Sequence, residues 1–97
     1  MITSKQRAQL KGLANRMDTI LQVGKGGIAD QLVTQVSDAL RARELIKMRA
    51  LETAPLSSRE AAEALAEACG AEVVQVIGSK FILYKRNPEE PKIELVK

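Results

Sequence analysis

Val23-Gly24-Lys25-Gly26-Gly27-Ile28 stands where a short apolar run gives way to an amphipathic one. Glycine has no Cβ, so glycines at 24, 26 and 27 let the backbone turn sharply and approach a ligand closely. A helix beginning just after the loop presents unpaired N–H groups, which suit an anion. Lys25 adds a positive charge at the tip. The chemistry on offer is phosphate contact, with Gly24, Lys25, Gly26 and Gly27 as the contact residues. The same residues also serve as a bare tight connection, and the loop alone does not separate the two. No Gly-Lys-Ser/Thr stands at the spacing of a nucleotide-triphosphate loop, and Gly-x-Gly-x-x-Gly is absent. What remains is Gly-x-x-Gly, the motif that clamps a single-stranded backbone in KH domains. There the loop joins two helices; here it follows a strand, so a standard KH fold is not expected.

The surrounding charge is uneven. Lys5, Arg7, Lys11, Arg16 and Lys25 face only Asp18 within residues 1–27, while Glu60, Glu63, Glu67 and Glu72 face only Arg59 within residues 53–72. The net charge is +3. Arg7, Lys11 and Asn15 recur every four residues and form a polar ridge on a helix; Lys5 and Arg16 lie off it. Such a ridge is either a solvated face or a phosphate-binding one. Lys47, Arg49, Lys85 and Arg86 form a second tier of cations. Phe81 and Tyr84 are the only aromatic residues, so base stacking has little to work with. Three apart on a strand, they should face opposite sides, one in the core and the other free to stack.

Other chemistries find little support. The chain has no histidine, which removes the commonest general base and metal ligand. Cys69 is the single cysteine, in an apolar helical stretch, and reads as a small buried hydrophobe. Glu60, Glu63 and Glu67 read as a solvated helix side rather than metal ligands. No nucleophile–base arrangement is evident, and no metal, cofactor or catalytic residue is expected. No long apolar run or signal core occurs, so the cytoplasm is the expected location.

The elements that must position these residues follow from pattern. Thr3 to Met17 reads as a helix, with Thr3 and Gln6 at capping-box spacing and Leu10, Leu13 and Met17 on one face. Thr19 to Val23 reads as a buried strand and Ile28 to Leu40 as a second helix. Glu44 to Glu52 alternates, with Ile46, Met48 and Ala50 on one side and Leu45, Lys47, Arg49 and Leu51 on the other. Ser57 caps a third helix ending at Gly70. Glu72 to Ile77 and Lys80 to Lys85 form a hairpin about Gly78-Ser79. The 97 residues make one α/β domain of order α-β-α-β-α-β-β. Helical crossovers place a four-stranded mixed sheet with helices two and three on one face and an added N-terminal helix whose docking place the pattern does not give. Residues 1–86 form the domain, and 87–97 are expected as a loose tail.

Taken in order, Lys5-Gln6-Arg7, Leu10-Lys11-Gly12-Leu13-Ala14, Gly24-Lys25-Gly26-Gly27-Ile28, Ala39-Leu40, Glu44-Leu45-Ile46-Lys47-Met48, Gly70 to Gly78 and Leu83-Tyr84-Lys85 resemble the YhbY family, the bacterial stand-alone form of the CRM domain. The resemblance implies a fold similar to the C-terminal domain of translation initiation factor three. It also implies RNA binding through the Gly-x-x-Gly loop and adjacent basic surface. Its bacterial members are associated with the precursor of the large (50S) ribosomal subunit. The family favours Thr or Ser where Ala29 stands. The expectation is a monomeric, non-catalytic RNA-binding protein acting on precursor ribosomal RNA and pre-50S particles, with no DNA or membrane partner. The alternative is a protein-interaction module docking on ribosomal proteins or assembly factors through Glu60, Glu63 and Glu67.

Overall fold

The computed structural model describes residues 2–97. Helix α1 (Ser4–Ala14), strand β1 (Leu21–Val23), helix α2 (Asp30–Arg43), strand β2 (Leu45–Ala50), helix α3 (Ser58–Cys69), and strands β3 (Glu72–Ile77) and β4 (Lys80–Tyr84) follow the expected order. They form a four-stranded mixed sheet in the order β1-β2-β4-β3. β1 pairs parallel with β2, while β4 runs antiparallel to both of its neighbours. β3 therefore shares the direction of β2 without touching it.

Burial explains why the last strand is central. Phe81, Ile82, Leu83 and Tyr84 are all buried, so β4 is covered on both faces. Such a continuous apolar run suits an interior strand. β3 keeps an exposed end at Ile77 and takes the edge.

The sheet has two cores. On one face Val23, Ile46, Met48, Phe81 and Leu83 pack against Val36 and Leu40 of α2 and Ala61, Leu65 and Cys69 of α3. On the other face Leu45, Val74, Ile82 and Tyr84 pack against Leu10 and Ala14 of α1. The first helix thus docks opposite α2 and α3. Its buried stripe is Leu10 and Ala14, whereas Leu13, expected on that stripe, is 46% exposed. Phe81 and Tyr84 do face opposite sides, but both are buried, so neither is free to stack on a base. The second core, unseen in the strand pattern, claims Tyr84.

Local chemistry sets the ends. Thr3 and Ser57 each cap their helices with complete capping boxes, through Gln6 and Glu60. Ala29, at the N-cap of α2, offers no side-chain acceptor. Between α2 and β2, Glu44 takes φ +65° and is fully buried. Its carboxylate accepts N–H bonds from Asn87 (2.7 Å), Ile93 (2.7 Å) and Lys92. Burial pushes this carboxyl up, but the three N–H donors and the nearby Arg86 charge outweigh it and hold the pKa below 4.5. Residues 87–97 form no helix or strand. They nonetheless fold back on α1, where Gln6 and Gln9 bond the backbone of Val96 and Glu94, and Ile93 and Leu95 lie against the second core.

Candidate nucleic-acid interface

The glycine loop leaves the C-terminal end of β1. The Gly27 N–H donates to the Gly24 carbonyl at 3.0 Å, closing a four-residue turn with Lys25 and Gly26 at its exposed tip. The glycines differ in kind. Gly27 is buried at φ +65°, and a Cβ there would meet Pro55 Cγ at 3.1 Å. Gly26 has open space where a Cβ would stand. Gly27 shapes the turn, and Gly26 leaves its backbone bare.

Several features converge on this end of the sheet. The α2 N-terminus follows the turn, and without a side-chain cap its first-turn N–H groups stay available. The loop after β2 packs Pro55 near Gly27, and α3 begins beside the hairpin turn, where Ser58 Oγ donates to the Gly78 carbonyl at 2.5 Å. Two helix N-termini therefore lie near the glycine turn, that of α2 without a side-chain cap and that of α3 closed by Ser57 and the Glu60 carboxylate.

The expected cations divide by position. Lys25 is exposed on the turn. Arg49 is exposed at the same end of β2, in register with Lys80 of β4, which the sequence reading left out of the site. Lys47 lies half-buried, its Nζ 3.4 Å from the Ala14 carbonyl, where it complements the end of α1. Arg16 is exposed just past that helix end. Arg7 serves the fold: one guanidinium nitrogen donates to the carbonyls of Val73 (2.5 Å) and Val74 (2.9 Å). These groups belong to the edge strand, where β3 shifts register between Val73 and Gln75. Lys11 shares a groove there with Arg7, Arg59 and Glu63. β3 and β1 are opposite edges of the sheet, so the Arg7–Lys11 ridge and the glycine turn do not form one patch. Lys5 is exposed on α1. Lys85 and Arg86 follow β4 at the end away from the turn, since Tyr84 pairs with Leu45 at the start of β2.

The acidic side of α3 is also divided. Glu60 is engaged in its capping box, which holds its carboxyl below the usual range through the Ser57 N–H and hydroxyl. Glu63 lines the groove with Arg7 and Lys11, and Glu67 is exposed. Pairing across strands had no signal in the one-dimensional pattern, so Lys80 was missed; only its place next to the Gly78-Ser79 turn hinted that it shares an end with the glycines.

Residues 2–85 match the family model described as the CRS1 / YhbY (CRM) domain. The chain belongs to the CRM family. A Bacillus subtilis relative named "Probable RNA-binding protein YqeI" is 41% identical over 98% of this chain and 99% of its own length. A Haemophilus influenzae relative named "RNA-binding protein" is 31% identical over 97% of this chain and 94% of its own. A Staphylococcus aureus protein solved in solution, with RNA binding given as its suggested role, superposes with a TM-score of 0.82. It is 44% identical, covering 99% of this chain and 100% of its own. These CRM relatives are named for RNA binding, and the structural neighbour shares the fold derived above. No helix among the described residues is long and apolar enough to cross a membrane.

Proposed function

We propose that this CRM domain is a non-catalytic RNA-binding protein that acts, as a cytoplasmic monomer, on precursor ribosomal RNA during assembly of the large ribosomal subunit. The observation that carries the reading is the turn itself. Gly26 is bare, Lys25 is exposed, and the uncapped start of α2 lies directly behind them. A phosphate brought to this turn would meet backbone N–H groups, a helix N-terminus and an ammonium together. The names of the relatives support RNA as the ligand. The ribosomal part rests on the family likeness set out from the sequence. The non-catalytic part rests on a chain without histidine or a nucleophile–base pair. Because the acidic side of α3 is split between a cap and a groove, it supports a protein-docking role less well than the turn supports RNA.

In-cell crosslinking with sequencing of the attached RNA tests this function. Crosslinks concentrated in large-subunit ribosomal RNA and attached near Lys25 are the expected result. Crosslinks spread over other transcripts would move the function away from the ribosome. Particle association with no RNA crosslink would favour docking on a protein.

A further inference from the structure

The face of the sheet that carries α1 is only partly covered. α1 reaches β3 through Arg7 and β2 through Ala14, and the residues it buries are Leu45, Val74, Ile82 and Tyr84. Toward the glycine turn the same face continues without cover. There Gln22 pairs with Arg49, Arg49 with Lys80, and Lys80 with Ile77, one residue from each of the four strands. Register partners point to the same side of a sheet, so the four form a single row about 14 Å across at ~4.8 Å per strand. All four are exposed, Ile77 at 56%.

The chemistry of this row is unlike an ordinary solvated surface. Arg49 and Lys80 are like charges directly opposite each other, an arrangement that disfavours the pair. Among the described residues neither is in an ion pair or a side-chain hydrogen bond. An anion bound between them would relieve the repulsion. Ile77 adds a large apolar side chain in water and Gln22 an amide, a surface for a base rather than a phosphate. The row starts at the β1 edge, two residues before Gly24, and Lys80 is held in place by the hairpin turn that Ser58 fastens to α3.

We infer that single-stranded RNA held at the glycine turn continues across the sheet along Gln22, Arg49, Lys80 and Ile77, with the backbone over Arg49 and Lys80 and bases against Ile77 and Gln22. The inference rests on the RNA-binding reading and gives it a path: between the β1 edge and the β3 edge, on the α1 side, away from α2 and α3. It also accounts for α1 stopping short of the sheet's far end.

The test uses the full chain, a short fluorescein-labelled single-stranded RNA of mixed sequence, and fluorescence anisotropy across a salt series. Lost single-strand phosphate contacts lower the slope of log affinity against log salt by about 0.7 each, so Arg49→Ala with Lys80→Ala should lower it by roughly 1.4. Ile77→Ala should weaken binding and leave the slope alone, because no charge is removed. Neither change should lower the melting temperature, and removing the opposed cations should raise it slightly. If Lys25→Ala lowers the slope while the Arg49/Lys80 variant keeps it, the sheet path is wrong and the turn stands. If the unaltered protein shows no salt-dependent affinity for the RNA, the RNA reading itself falls and the path with it.

Discussion

Gly26 and Gly27 are adjacent, and the structure separates their roles by a measurable margin. Gly27 sits at φ +65° with Pro55 Cγ 3.1 Å from where a Cβ would stand. An L-residue in the left-handed region costs roughly 1–2 kcal/mol, and the methyl must also displace the proline ring slightly. Taking about 1.5 kcal/mol for Gly27→Ala, and an unfolding entropy near 2.1 cal/mol/K per residue over 97 residues, the melting temperature falls by ~7 °C. Gly26 has nothing within 4 Å of its would-be Cβ and no positive φ. Gly26→Leu should therefore melt within a degree or two of the unaltered protein. Its cost appears in binding: a bulky side chain at the tip keeps the RNA backbone from the turn, and losing about one hydrogen bond, ~1.4 kcal/mol, is a tenfold loss of affinity. Thermal denaturation followed by circular dichroism, paired with anisotropy against single-stranded RNA, reads both numbers on the same samples. A Gly27→Ala protein as stable as its parent would refute the strain argument. A Gly26→Leu protein that binds normally would reduce the turn to a connection.

Arg7→Ala removes two charge-assisted bonds to the β3 edge and should cost about 2 kcal/mol in urea denaturation; if stability is unchanged and only RNA affinity falls, the fold-holding role assigned here is wrong. Lys25→Ala should leave the melting temperature alone and reduce the salt slope of RNA binding by roughly 0.7, and an unchanged slope would take Lys25 off the contact list. Glu44→Ala strips three N–H groups of their acceptor, so amide exchange at Asn87, Lys92 and Ile93 should accelerate well ahead of that in β4; uniform protection would mean the tail is held elsewhere. Because the folded pKa of Glu44 lies below its ordinary 4.5, its stabilisation is complete above that value and is lost as pH falls through the folded one. Tail protection should accordingly collapse only in acid, and a tail equally protected at all pH values would contradict the carboxylate's part in holding it.

Much of the architecture was legible because its signals are local. Thr3 with Gln6 and Ser57 with Glu60 announce their helix starts by spacing, and both boxes form. The apolar run from Phe81 to Tyr84 marks a strand, although its cover on the Tyr84 side comes only from the structure. The features that escaped depend on partners far along the chain. Nothing near Arg7 says that its guanidinium will cap carbonyls 66 and 67 residues away. Leu45 and Tyr84 hold the docking place of α1, but only after β4 enters beside β2. Within the site, Gly24 to Gly27 could be read as a turn, yet which glycine is bare and which is strained depends on Pro55. Lys80 joined Arg49 only through strand register.

One of the two interior strands of the sheet, β4, is also the last strand among the described residues. β1 and β2 can pair as soon as both exist, but β2's other edge has no neighbour until residues 80–84 arrive. α1, first in sequence, has no complete surface to dock on before then, because two of the four sheet residues beneath it, Ile82 and Tyr84, belong to β4. Docking of α1 therefore depends on the pairing of β4 with β2, a step that joins residues far apart in sequence and carries the loop-closure cost that slows folding. The Arg49–Lys80 pair is completed in that same step. A shortened chain ending before β4 would keep the glycine turn in its sequence while lacking the sheet that holds it in place.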